Sequence, residues 1–198
     1  MPHSPFRHVA STSFLSTRRL QIPTYAAQFE NVSNTFYADL FEGPFFDEES
    51  DICFKTTLPM KFRGIRNVPS SGGGWEWGTL RNINNMLDNL GNCDNESVRT
   101  EYEAVGRFFR AYFYFLKVRD FGDVPWYDHE LSVTERDELY KGRDSRDFVM
   151  GKMLEDIDFA IAHLATEKNA YKVTKWTALA FKSRFCLFEG TWRNYHGN

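Results

Sequence analysis

The stretch EAVGRFFRAYFYFLKVRDFGDVP, residues 103–125, decides the fold class of this chain. Its apolar residues return at helical spacing, so they form one stripe of an α-helix that can face a partner. The stripe consists of Ala104, Phe108, Ala111, Tyr112, Phe115 and Val118. Gly122 can adopt the left-handed conformation that ends a helix, and Pro125 prevents continuation. The sequence therefore predicts a long helix that ends at Phe121.

The presence or absence of the same helical period divides the rest of the chain into predicted helices and predicted irregular segments. The long helix is predicted to begin near Ser97, with Thr100 and Glu103 forming a capping box. The segment 1–24 has no sustained period and is predicted to be an irregular lead-in, whereas 52–74 is rich in Pro, Gly and Ser and indicates a long ordered loop. Further helices are predicted over 28–41, 76–90, 145–165 and 174–189.

The helices after residue 76 form two pairs, and the second pair repeats the first at an offset of about seventy residues. Each pair is predicted to end in a Phe-rich helix that is closed by a glycine, Gly122 or Gly190. Hairpins of this kind bury a continuous core only when they stack on neighbours. The pattern predicts an all-α fold of helical hairpins with long irregular loops.

Composition and charge exclude several classes of protein. Aromatic residues make up 17% of the chain, which favours a surface that stacks flat ligands or packs helices. The formal net charge of -3 supplies no basic field to hold a phosphate backbone, so no nucleic-acid partner is expected. No stretch approaches the roughly 20 apolar residues of a membrane-spanning helix, and the N-terminus lacks the apolar core of a signal peptide.

Residues that could support catalysis or metal binding are scattered. Cys53, Cys93 and Cys186 lie too far apart for CxxC pairs, and no HExxH spacing links the histidines. The acidic cluster in 47–51 could supply a carboxylate pair for glycosidic hydrolysis or ligands for calcium, but adjacent loop carboxylates are usually solvated. The sequence predicts no catalytic residue, no metal and no cofactor, and the protein is not expected to be an enzyme.

Two tryptophans give the candidate binding site. Trp75 and Trp77 lie at the end of the long loop and flank the start of a helix. Exposed indoles stack on the C–H faces of sugar rings, and Arg81 and Asn82 could form hydrogen bonds with the hydroxyls. The alternative is that both indoles pack down as a plug over the helix pair. The candidate ligand-binding residues are therefore Trp75, Trp77, Arg81 and Asn82.

Four blocks of sequence, in this order, resemble a known family. They are WEWGTLRNINNMLDNL (75–90), EAVGRFFRAYFYFLKVRDFGDVPWY (103–127), YKGRDSRDFVMGKMLEDIDFAIAHL (140–164) and VTKWTALAFKSRFCLFEGTWRNYH (173–196). The most specific positions are Arg107, Arg110, Ala111, Tyr112, Gly122, Asp123, Pro125, Arg143, Ser145, Ala180, Arg184 and Leu187. These blocks are similar to those of the SusD/RagB family, and the resemblance runs from about Phe29 to the C-terminus.

The resemblance carries expectations about fold, function and location. It implies a SusD-like, tetratricopeptide-like helical scaffold of a surface lipoprotein of the Bacteroidota outer membrane, which captures oligosaccharides or other nutrients and closes a TonB-dependent, SusC-like transporter. Family members carry a signal peptide and a lipidated Cys, which this chain lacks, and are more than twice as long. We therefore expect 25–198 to be the N-terminal helical-repeat part of such a domain, truncated at the C-terminus. The runner-up function is a helical-repeat scaffold that binds another protein.

Overall fold

A computed structural model describes residues 22–40, 63–65 and 73–197 of the chain. This described part is all-α, as the helical period predicts, and it contains no β-strand apart from an isolated bridge between Val124 and Asp144. None of its helices combines the length and the hydrophobicity needed to cross a lipid bilayer. The helices are α1 (Ile22–Leu40), α2 (Gly78–Asp88), α3 (Glu96–Phe121), α4 (Arg136–Leu139), α5 (Arg146–His163) and α6 (Lys175–His196), with a 3-10 turn at Leu90–Asn92 after α2.

The long helix α3 lies at the centre of the molecule. It packs against α1 and α2 on one side and against α5 on the other, and α6 packs on α5 and α3. The predicted pairs are thus present as a hairpin of α2 with α3 and a hairpin of α5 with α6. Gly106 lies where the two helices of the first hairpin approach closely, because a Cβ atom there would lie 2.6 Å from Cδ2 of Leu87 and would displace that side chain.

The apolar stripe of α3 is buried as the sequence predicts. Phe108 and Phe115 lie in the core and meet Phe181 of α6 with ring centroids 5.7 and 5.6 Å apart. Phe115 also meets Phe188 at 5.5 Å, with the two rings nearly perpendicular. Edge-to-face contacts of this kind stabilise aromatic cores beyond the area that they bury. The two Phe-rich helices therefore share one core.

Several predicted helix ends are confirmed. The helix α3 ends at Phe121, and Gly122 follows it with a φ of 74°, the left-handed region that favours glycine. Ser145 caps α5 by accepting a hydrogen bond from the amide of Phe148. Thr174 is the N-cap residue of α6, and its amide donates to the hydroxyl of Thr177. The glycine after α3 and the hydroxyl residues before α5 and α6 therefore determine where these helices end or begin.

Other predicted ends are wrong. The helix α1 begins at Ile22, so the irregular lead-in does not extend to residue 24, and its remainder lies outside the described residues. Asn95, not a box of Thr100 and Glu103, caps α3, because its side chain accepts the amide of Val98 at 3.2 Å. The other loop prediction, 52–74, also lies mostly outside the described residues.

Gly190 does not close the last helix. It lies inside α6, exposed and with open space around it, and α6 continues to His196. The helix ends at Gly197, whose φ is 72°. The extra turns place Trp192 under the guanidinium of Arg146, whose carbon lies 4.1 Å from the ring centroid. Packing of this last segment continues the helix past a residue of low helix propensity.

Two buried arginines join the helices to one another. Arg110 of α3 forms a two-point contact with Asp156 of α5, in which Nε lies 2.6 Å from Oδ2 and Nη2 lies 2.7 Å from Oδ1. Arg146 at the start of α5 donates from Nε to Glu189 of α6 at 2.8 Å. Both acidic partners are buried. Each pair fixes the register between neighbouring helices, because a planar guanidinium fits a carboxylate in one orientation.

Candidate functional site

A cleft of about 520 Å³ lies between the start of α2 and the segment that leads from α3 to α5. This volume is within the roughly 300–1,000 Å³ typical of small-molecule sites. One wall comes from the Trp75–Asn84 region and the other from the chain between Pro125 and Lys141. The lining residues are Trp75, Trp77, Gly78, Leu80, Arg81, Asn84, Pro125, Tyr127, His129, Leu131, Ser132, Val133, Leu139 and Lys141.

Trp77 connects the cleft to the core. It occupies the N-cap position of α2 and is half-buried. Its ring lies 5.6 Å from that of Phe113, 6.2 Å from that of Tyr114 and 5.8 Å from that of Tyr127. The indole therefore packs down on the helix pair, as the plug alternative expects, and at the same time lines the cleft. Its neighbours hold the exposed part in one orientation.

Trp75 lies at the rim and is 37% exposed. Gly74, with a φ of 82°, turns the chain so that this indole meets Phe121 edge-on at 4.9 Å. The guanidinium of Arg143 lies 4.9 Å from the ring centroid. The ammonium of Lys117 donates to the carbonyl of Gly74 and fixes the turn. Burial lowers the pKa of Lys117, and the carboxylates around it oppose that effect.

Arg81 lines the cleft and Asn82 does not. Nε of Arg81 donates to Glu130 at 2.8 Å, so the predicted hydrogen-bonding cation is held by a carboxylate of the opposite wall. Asn82 is exposed on another face of α2. The structure therefore brings together Trp75, Trp77 and Arg81, and it leaves Asn82 outside the cleft. Their role in binding remains a prediction.

Asn84, which sequence reasoning did not select, joins the two walls. It is buried, and its Nδ2 donates to the carbonyls of Tyr127 and His129, both at 3.0 Å. The amide of Glu130 donates to the carboxylate of Asp88 at 2.7 Å. One helix turn of α2 thus holds the backbone of the other wall through its polar side chains. These hydrogen bonds preorganise the cleft.

Tyr127 and Lys141 form the second aromatic part of the cleft. The ammonium of Lys141 lies 4.6 Å from the ring centroid of Tyr127 and donates to the carbonyl of Trp126 at 2.6 Å. The hydroxyl of Tyr127 donates to the carbonyl of Glu138 at 3.2 Å. Burial raises the pKa of Tyr127, so the phenol stays neutral at physiological pH. Its ring is fixed at both ends.

His129 is the residue of the cleft lining whose ordinary pKa lies closest to neutral pH. Nδ1 lies 2.9 Å from Asp128 and Nε2 lies 3.2 Å from Glu135. The hydrogen bond to Asp128 raises the pKa of His129, while burial acts in the opposite direction and Glu135 adds to the rise. The imidazolium form therefore persists to higher pH than in a free histidine, and it pins the wall between these two carboxylates.

The side chains around the cleft suit binding more than bond cleavage. Among the described residues that line the cleft there is no Asp or Glu, and the nearby carboxylates of Glu130 and Glu135 are already paired with Arg81 and His129. Within the same part, no group of three His, Cys, Asp or Glu side chains is placed to hold a metal. The cleft instead combines flat aromatic faces with the donors Arg81 and Lys141. Such a surface can bind a ring that carries hydroxyl groups.

Tyr114→Phe is expected to destabilise the protein by about 1–3 kcal/mol, because it leaves a buried amide without its acceptor. The hydroxyl of Tyr114 accepts the amide of Tyr127 at 2.6 Å, and the residue is fully buried. Urea unfolding measures the change as a lower midpoint. Tyr140→Phe, at an exposed position, is the control and should leave the midpoint unchanged. Equal midpoints for both variants would contradict this role.

Comparisons with known proteins find both a matching family and a curated relative. A SusD-like family model, described as "Starch-binding associating with outer membrane", matches residues 77–187, which is more than half of the chain. The SusD-like protein P25 of Formosa agariphila is 29% identical over 119 residues. That alignment covers 58% of this chain and 22% of the relative, so the chain spans under a quarter of that curated relative's length. No solved structure matches the chain.

Proposed function

Because this chain belongs to the SusD-like family, we propose that it is a glycan-binding part of an outer-membrane nutrient-uptake complex, and that it binds without cleaving its ligand. The observation that carries the proposal is the family match over 77–187, since this range contains nearly every residue that lines the cleft. The family's description names starch binding and association with the outer membrane. An oligosaccharide is therefore the ligand class that we assign to the cleft.

Binding in this proposal uses stacking and hydrogen bonds. A sugar ring rests its C–H face on the indole of Trp77 or Trp75, which are perpendicular to each other with centroids 5.1 Å apart. Arg81 and Lys141 donate to hydroxyls from the sides. Their carboxylate partners already balance these cations, so the cleft attracts an uncharged saccharide without requiring an acidic one.

The partner in this proposal is a TonB-dependent, SusC-like transporter of the outer membrane. The chain supplies the helical scaffold and one aromatic cleft, and the transporter carries the captured glycan across the membrane. Membership of the SusD-like family supports this assignment. The competing function is a helical-repeat scaffold that binds another protein, and the packing of Trp77 on the core rings of Phe113 and Tyr114 favours it.

Isothermal titration of a panel of neutral oligosaccharides tests the proposal. Trp77→Ala is expected to weaken binding of the tightest oligosaccharide by roughly 30-fold, because buried aromatic residues at the centre of a site cost about 2 kcal/mol or more when truncated. Tyr195→Ala removes an exposed aromatic ring from α6 and is the control. A melting curve of each variant verifies that it folds.

Two outcomes of this titration would contradict the proposal. Flat heats for every oligosaccharide with the unmodified protein would favour the protein-binding scaffold. Equal affinities of the unmodified protein and of Trp77→Ala would mean that the indole of Trp77 has a purely structural role. A loss of affinity with Tyr195→Ala as large as that with Trp77→Ala would show that the effect does not come from the cleft.

A further inference from the structure

A second cavity, of about 260 Å³, lies where α1, the first turns of α3 and the connection from α5 to α6 meet. It shares no lining residue with the cleft at Trp77. Its size is just below the roughly 300–1,000 Å³ of sites for drug-sized ligands, so it suits a ligand of one ring. Its apolar lining comes from the side chains of Val105, Leu164 and Val173.

Tyr102 supplies the cavity with an unsatisfied hydroxyl. The residue is only 8% exposed, and its ring packs on Phe29 with centroids 5.7 Å apart. The hydroxyl has no hydrogen-bond partner among the described residues, yet it is not sealed off, because the residue lines the cavity. Burial raises the pKa of Tyr102, and Glu30 adds to the rise, so the phenol keeps its proton and can donate. A hydroxyl that lines the cavity and has no partner among the described residues is available to donate to a polar ligand atom.

The mouth of the cavity offers both donors and acceptors. Lys172 and Glu30 form an ion pair across it at 2.7 Å. Tyr37 closes the inner edge, because its hydroxyl accepts the amide of Val173 at 2.7 Å. Asn34 adds an amide side chain that no described residue engages. Ammonium, carboxylate and amide groups around an apolar floor match a ligand whose groups both donate and accept.

We propose that this cavity binds a single polyhydroxylated ring of pyranose size. The ring's C–H face lies on the apolar floor, one hydroxyl accepts a hydrogen bond from Tyr102, and others bridge Glu30 and Lys172. Hydroxyl groups satisfy this set because each donates to a carboxylate and accepts from an ammonium at once. The site is separate from the cleft, so it does not rest on the function proposed for Trp77.

Saturation-transfer NMR with the methyl pyranosides of glucose, galactose and mannose tests this site. The full chain carrying Trp77→Ala is used, so that the cleft is disabled and signal from the second cavity is isolated. Saturable binding of at least one pyranoside is expected. Adding Tyr102→Phe, which keeps the ring and removes the hydroxyl, should raise the dissociation constant about three- to tenfold. Tyr195→Phe, at an exposed position of α6, is the control.

Three results would overturn the proposal. They are no saturable pyranoside binding to the Trp77→Ala protein, an unchanged dissociation constant in Tyr102→Phe, and preferential binding of glycine or acetate over every pyranoside. The proposal for the cleft is tested separately: if it is wrong, oligosaccharide binding will not depend on Trp77, and the Tyr102→Phe measurement is unaffected. Each site is therefore tested by its own variant.

Discussion

Asp156→Ala is expected to lower the free energy of unfolding by about 3–5 kcal/mol, because it strands a buried guanidinium. Asp156 is 2% exposed and is the acidic partner of Arg110 between α3 and α5. Burial lowers the pKa of Arg110, but the hydrogen bond and the charge of Asp156 outweigh burial and hold the pKa above its ordinary value. Arg110 still stays charged when its partner is removed, because a guanidinium is not deprotonated in proteins. The melting temperature should fall by roughly 6–20 °C for a chain of this size.

The neighbouring residue supplies the matched control. Glu155 lies on the same helix and pairs with Lys152 at 2.8 Å, but its side chain is exposed. Exposed ion pairs contribute about 0–1 kcal/mol, so Glu155→Ala should change stability little. Urea unfolding of both variants measures the difference. Similar midpoints for Asp156→Ala and Glu155→Ala would mean that the buried pair does not hold α3 to α5.

A double variant separates the charge from the packing. Arg110→Met with Asp156→Leu replaces the buried pair by apolar side chains, which is often neutral or stabilising. It should recover most of the stability lost in Asp156→Ala. Recovery stays incomplete, because Arg110 also donates from Nη1 to the carbonyl of Asp128 at 3.0 Å. The pair thus sets helix register, and Arg110 also anchors the cleft wall at Asp128.

Most of the fold could be predicted from the helical period of the apolar residues and from the residues near the helix termini. The stripe of α3 and its stop at Gly122 follow from side-chain spacing and from the one conformation that glycine adopts easily. Long-range packing is not contained in such signals. Trp176 and Leu179 are apolar residues of α6 but are exposed, because the buried face of α6 runs through Phe181, Phe185 and Glu189. A buried glutamate inside an aromatic period cannot be anticipated without its partner Arg146.

Only one of the two walls of the cleft could be predicted from the sequence. Trp75, Trp77 and Arg81 lie close in sequence, so composition and spacing around a helix start could find them. The opposite wall, with Tyr127 and Lys141, comes from a segment that the fold brings back through Asn84. One signal was present: Asn84 lies three residues after Arg81, which places both on the same face of α2. Asn82 fails the same test of helical spacing.

Phe109→Ala is expected to cost about 3–5 kcal/mol, since it opens a cavity at the junction of α1 and α3. Phe109 is fully buried and meets Phe36 at 5.5 Å and Tyr37 at 4.8 Å, both edge-on. These rings form the centre of the contact between the two helices. Loss of the phenyl group removes the neighbours that keep α1 docked, so the damage should concentrate there.

Hydrogen exchange distinguishes this local effect from general destabilisation. In Phe109→Ala the amides of α1 should exchange faster than those of α5, because α1 packs on α3 and α2 whereas α5 keeps its ion pairs with α3. Phe148→Ala, at a half-exposed position of α5, should cost about 1 kcal/mol or less. Uniform acceleration across all helices would contradict a separate docking of α1. If α1 undocks in this way, the variant should also bind ligand less tightly in the cavity at Tyr102, since α1 forms one of its walls.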